Sequence, residues 1–135
     1  MVETWTQWKP IEGLASKYYL KSLSDEIEGF RIMLVPLKSE LQSIEIFFKD
    51  GVYAYSKTDE SFRVKLPYEL NQEYGLEFYK NWTFFKVTNS QYLKWLSEQS
   101  YEWSHAYDMI HFSLLTSNNS IDIVADYEPI VTIIE

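Results

Sequence analysis

At 135 residues, with 46% hydrophobic and 24% charged side chains, the chain has the size and balance of one folded domain and not of a disordered tail. Such a length buries roughly two-thirds of the unfolded surface, so no disulfide or metal is needed for folding. The absence of Cys excludes disulfides, thiolate metal sites and cysteine nucleophiles, and a net charge of −8 disfavours phosphate backbones and anionic lipid as partners.

The charge is unevenly placed. All 12 Lys and Arg lie in residues 1–94, whereas residues 95–135 hold none and carry seven acids: Glu98, Glu102, Asp108, Asp122, Asp126, Glu128 and Glu135. Five Trp, eleven Tyr and eight Phe suit a strand-rich core, and they also suit a protein interface. With only His105 and His111 as imidazole donors, a zinc site would rest on carboxylates, so no metal or cofactor is expected. Residues 1–6 lack a basic stretch followed by an apolar one, and no apolar run approaches the roughly 20 residues of a membrane helix. The expectation is a cytoplasmic chain without a membrane partner. Asn81-Trp82-Thr83 and Asn118-Asn119-Ser120 match the glycosylation pattern, which carries no weight without secretion.

In chain order, residues 1–13 read as an entry segment with one helical turn, on which Trp5 and Trp8 share a face. Lys17 to Leu23 predicts a first strand, and the polar run Ser24 to Gly29 a turn. Phe30–Val35 is β-compatible and stops at Pro36. Ser43–Phe48 places Ile44, Ile46 and Phe48 on one face and Glu45 on the other, the period of a half-buried strand. Asp50-Gly51 then predicts a tight hairpin, with Gly51–Ser56 returning alongside. Residues 57–80, broken by Pro67 and Gly75, predict an irregular excursion of short pieces. Trp82–Thr88 follows as a strand.

Asn89-Ser90 supplies cap-type oxygens for a short amphipathic helix over 91–99, its face formed by Tyr92, Trp95, Leu96 and Gln99. Tyr107–Leu115, the turn residues Thr116 to Asn119, Ser120–Asp126 and, beyond Glu128-Pro129, Ile130–Ile134 predict a closing meander. Strands without regular βα alternation argue for an α+β fold in a single domain over residues 1–135. The expected sheet is mostly antiparallel, strongly curved or closing into a partial barrel, with one or two packed helices.

The chemistry-bearing patterns are sparse. Four glycines scattered at 13, 29, 51 and 75 do not form a phosphate-cradling loop, and no Gly-x-Ser-x-Gly occurs. His111 has Asp108 and Asp122 nearby in sequence for a His–carboxylate pair, whose ordinary role would be a hydrogen-bonded sheet histidine. Asp59, Glu60 and Glu45 are the candidates for a two-carboxylate hydrolase. Singly spaced basic residues do not make a nucleic-acid groove.

The stretch from His111 to Pro129, with Thr116 to Val124 and Glu128-Pro129, resembles the closing strands of small bacterial orphan families. Asp59-Glu60 and Asn89-Ser90-Gln91-Tyr92-Leu93 share that resemblance. Those families include immunity proteins of polymorphic toxin systems, and the resemblance implies a non-catalytic protein that binds and neutralises a basic toxin. Interfaces favour Tyr and Trp anchors rimmed by charge. Tyr101, Glu102, Trp103 and Asp108 in one loop, and Asp126, Tyr127 and Glu128 at one turn, are therefore the expected contact residues. The alternative reading is a small-ligand-binding domain with an aromatic-lined cavity in a curved sheet.

Overall fold

A computed structural model describes residues 3–38, 42–101 and 108–134. These residues form nine strands: β1 (Thr4–Gln7), β2 (Tyr18–Glu26), β3 (Gly29–Pro36), β4 (Ser43–Phe48), β5 (Ala54–Asp59), β6 (Phe84–Thr88), β7 (Ile110–Leu115), β8 (Asn119–Ala125) and β9 (Ile130–Ile134). Helices α1 (Lys65–Tyr74) and α2 (Glu77–Lys80) follow β5 and a 3-10 turn at Glu60–Phe62, and α3 (Gln91–Gln99) follows β6. The strands make two antiparallel sheets, a five-stranded one ordered β1-β6-β7-β8-β5 and a four-stranded one ordered β2-β3-β4-β9. The fold is α+β, and the sheets do not close into a barrel.

The two sheets face each other across one apolar layer. Alternation puts Phe30, Ile32 and Leu34 of β3 and Ile44, Ile46 and Phe48 of β4 on the inner face of the smaller sheet. Opposite them stand Phe84, Phe112, Leu114, Ile121 and Ile123 of the larger sheet, every one at most 1% exposed. Aromatic rings pack edge against face here, as Phe48 does on Phe112 at 5.5 Å and Trp82 on Phe84 at 5.7 Å. Phe30, Phe48, Phe84 and Phe112, with Trp8 and Trp82 beside them, thus fill the space between the sheets.

The helices cover the outer face of the larger sheet. Trp5, Phe85, Val87 and Leu115 pack there with Leu70 of α1, and Phe78 of α2 adds its ring 5.1 Å from Phe85. β8 is consequently buried along its whole length. Ile121 and Ile123 enter the layer between the sheets, while Asp122, on the other side of the pleat, is enclosed beneath the helices.

Several sequence expectations are corrected by this arrangement. Trp5 and Trp8 share no face, because β1 is extended: Trp5 joins the helical layer and Trp8 packs between the sheets. β4 and β5 do not form a hairpin. The turn at Asp50-Gly51 is present, with Gly51 at φ +79° and its N–H donating to Phe48 O, but both edges of β4 are already taken by β3 and β9. The chain therefore crosses to the other sheet, and β5 pairs with β8. Likewise β9 leaves the meander: β7 and β8 pair, whereas β9 lies beside β4. The stretch 57–80 is more regular than expected, since Pro67 sits in the first turn of α1, where its missing N–H costs nothing, and Gly75 ends that helix at φ +93°.

Candidate functional site

The connections between the sheets gather charge at one end of the sandwich. Glu26 pairs with Gly29, so the β2–β3 turn is Ile27-Glu28; Phe30 pairs with Phe48, which sets the β4–β5 crossing beside that turn. Ile110 pairs with Ala125 and Phe47 with Ile130, bringing the entry to β7 and the β8–β9 crossing to the same end. Seven carboxylates converge here: Asp25, Glu26, Glu28, Asp50, Asp108, Asp126 and Glu128, all exposed. Two lysines accompany them, Lys49 and Lys86. Among these acids stand apolar side chains open to solvent, Ile27 at 99%, Ile130 at 56% and Tyr53 at 53% exposure. Lys17, Lys38, Arg63 and Lys80 lie toward the opposite end, where Leu37 N–H donates to Lys17 O and Asp59 pairs with Asn119.

Tyr127 holds the acidic end together. Its hydroxyl donates to Gly51 O at 2.6 Å and accepts from Asp50 N–H at 2.9 Å, while its ring meets Phe48 edge to face. Burial pushes the phenol up from its ordinary range. Tyr53 donates its hydroxyl to Asp126 Oδ2 at 3.1 Å, and Glu128 forms an ion pair with Lys86. Of the expected contact residues, Asp108, Asp126 and Glu128 therefore converge, and Tyr127 braces them from within. Tyr101 follows α3 at 95% exposure with φ +51°, and Glu102 and Trp103 lie outside the described residues.

The seven acids of the last 41 residues do not act as one group. Asp122 is enclosed and paired with Arg63 and His111, Glu128 is paired with Lys86, and Glu98 lies on α3. The surface charge of the acidic end comes as much from the β2–β3 turn and the β4–β5 crossing of the first half, which sequence position alone did not single out.

A second constellation lies under the helices. Ser90 Oγ stands 2.6 Å from His111 Nδ1, His111 Nε2 stands 2.7 Å from Asp122 Oδ1, and Arg63 Nη1 reaches Asp122 Oδ2 at 3.3 Å. The same Ser90 Oγ accepts Leu93 N–H at 3.1 Å and so caps α3. A neutral His111 that donates from Nε2 to the carboxylate and accepts Ser90 O–H at Nδ1 satisfies every partner at once. Tyr92 closes the arrangement with its ring 5.5 Å from the imidazole. Burial acts to raise the Asp122 carboxyl, but the His111 hydrogen bond, the Arg63 charge and the facing Ser113 hydroxyl outweigh it and hold the pKa below the usual value.

The group has the members of a nucleophile–base–acid relay, yet its geometry is that of a strut. Ser90 is 1% exposed, and its hydroxyl and both imidazole nitrogens are engaged in hydrogen bonds beneath a cleft of about 370 Å³. Asp108 is not the partner of His111. The convergence was legible in part: a hairpin turning at Thr116 to Asn119 sets Ser113 opposite Asp122 and makes His111 its diagonal neighbour on the same face. Ser90 and Arg63 had no such signal. The carboxylate candidates do not converge either: Glu45 pairs with Arg31 on the smaller sheet, while Asp59 caps the 3-10 turn on the larger one.

Comparison with protein-family models, curated proteins and solved structures gives no match. Among the described residues no three His, Asp or Glu side chains are grouped to hold a metal, and no helix is long and apolar enough to cross a membrane.

Proposed function

We propose that this chain is a non-catalytic protein-binding domain whose acidic end engages a basic protein surface. The observation that carries the reading is the convergence of seven carboxylates with exposed Ile27, Tyr53 and Ile130 on one end. Such a mixture supplies both components of an interface, steering by charge and burial of apolar anchors. Exposed carboxylates that repel one another in the free protein gain from a cationic surface, and the low net charge of the rest of the chain leaves the field directed through this end. A toxin-neutralising immunity factor is the member of this class that the sequence resemblance implies.

The test co-expresses the chain with the products of the reading frames flanking its own and measures protection from toxicity and complex formation. Neutralising Asp25, Glu26, Glu28 and Asp50 to their amides is expected to slow association with the captured basic partner about tenfold at low salt and to flatten its salt dependence. Neutralising Glu69, Glu73, Glu77 and Glu98 on the helices is the control. Absence of any binding partner, or equal association rates for the two variants, would refute the reading.

A further inference from the structure

A second cavity, of about 230 Å³, opens at the end of the molecule opposite the acidic one. Its apolar walls come from Leu66 and Pro67 of α1 and from Leu115 at the end of β7, and Tyr79 of α2 adds an aromatic side. Its charged groups are Lys17, Arg63 and Lys80, with Glu60 as the one carboxylate among the lining residues. Three cations around one small hollow is a notable concentration in a chain with 12 basic residues and a net charge of −8.

Lys17 is the unusual member. Its ammonium donates to Tyr79 O at 2.6 Å, Trp82 O at 2.8 Å and Leu115 O at 2.6 Å, so all three N–H groups are held by carbonyl dipoles. It makes no ion pair among the described residues, nor does Lys80, and Arg63 shares Asp122 with His111. Burial lowers Lys17 to about 8, the mark of a cation enclosed without a countercharge. Ser117 lines the cavity, and its hydroxyl is buried and has no hydrogen-bond partner among the described residues. An anion placed among these groups would supply the missing countercharge and the missing partner together.

We propose that this cavity is a binding site for a small organic carboxylate, its apolar body against Leu66, Pro67 and Leu115 and its carboxylate between Arg63, Lys80 and the Ser117 hydroxyl, beside the Lys17 ammonium. At about 30 Å³ per water the cavity holds the volume of about eight waters, which suits a ligand of about eight non-hydrogen atoms. A ligand of that size binds with a Kd of about 1 mM. The groups facing Lys17 are the Tyr79 ring, 5.7 Å from its Nζ, with Glu60, Arg63 and Lys80 around the cavity. A bound carboxylate therefore adds the dominant new charge.

The experiment titrates hexanoate into the isotopically labelled protein and follows backbone amides together with the Lys17 Nζ resonance by NMR. The expected result is saturable shifts at Ser117, Ser120 and Lys80 and a rise in the Lys17 pKa, with hexanamide at least tenfold weaker. Lys80→Glu, an exposed position whose variant keeps the dispersed spectrum of the fold, should weaken hexanoate about tenfold. Equal binding of hexanamide would overturn the role of the cations. Inorganic phosphate matching hexanoate would overturn the role of the apolar walls. No saturable shift up to about 10 mM would overturn the site itself.

Discussion

Replacing Asp122 tests the strut beneath α3 most directly. The carboxylate is 7% exposed and accepts from His111 Nε2 at 2.7 Å and from Arg63 at 3.3 Å. Removing one partner of a buried ionic pair costs about 3–5 kcal/mol, but the Arg63 side chain is 32% exposed and can turn to water, so the lower end applies. Asp122→Ala is therefore expected to lose about 3 kcal/mol near neutral pH, roughly 12 °C in Tm for a domain of this size. The sign of the pH dependence follows from the depressed carboxyl. The folded state holds the Asp122 proton less tightly than the unfolded state, so its stabilisation is fully present above the unfolded carboxylate pKa of about 4. It is lost as pH falls through the lower folded value. Urea unfolding of wild type and Asp122→Ala from pH 7 down to about pH 2 should show a constant gap above pH 5 and a closing gap below pH 4. A loss under about 1 kcal/mol at pH 7, or a gap that stays constant into acid, would refute the assignment.

Other positions give independent checks. Ser90→Ala removes the cap on Leu93 N–H and leaves His111 Nδ1 without its partner, and it should cost about 2 kcal/mol in chemical unfolding with faster hydrogen exchange at Leu93. Gly29→Ala places a Cβ 2.9 Å from Phe48 O at φ +139°, so about 2 kcal/mol of destabilisation is expected, read from the urea midpoint. Lys17 titrates lower in the folded than in the unfolded state, so the unfolded chain binds more protons between about pH 8 and 10.5. The stability of wild type relative to Lys17→Met should accordingly rise with pH across that window, and denaturant series at pH 8 and pH 10 measure it.

The Ser90–His111–Asp122–Arg63 group has a bearing on how the helical layer is held. α3 spans nine residues, with Ser97 as its one buried residue, and Trp95 is 51% exposed. The predicted apolar face at Trp95 is therefore not the packed one. Docking relies on its first turn, where Ser90 reaches His111 and Glu3 Oε2 accepts the Gln91 N–H at 2.9 Å. A negative carboxylate at a helix N-terminus also suits the helix dipole. α1 and α2 dock by apolar contacts of Leu70 and Phe78 instead.

The sequence by itself determined most strand positions and the apolar side of half-buried strands such as Ser43–Phe48, although β1 read as a helical turn and β5 lies at Ala54–Asp59 where Gly51–Ser56 was expected. Ser43–Phe48 and Ile130–Ile134 have the expected bounds, and Ser90 caps the expected helix, because alternation and capping are local properties carried by neighbouring residues. Partners were another matter. Alternation specifies a face but not which strand lies alongside, so Asp50-Gly51 and Glu128-Pro129 read as hairpin and meander when both are crossings between sheets. Those two crossings bring Asp50, Asp126 and Glu128 to the same end as the β2–β3 turn with Asp25, Glu26 and Glu28, so the acidic surface joins segments far apart in sequence. The contact of Ser90 with His111, and of Arg63 with Asp122, likewise needed the packed sheet, since 21 and 59 residues of chain separate the members.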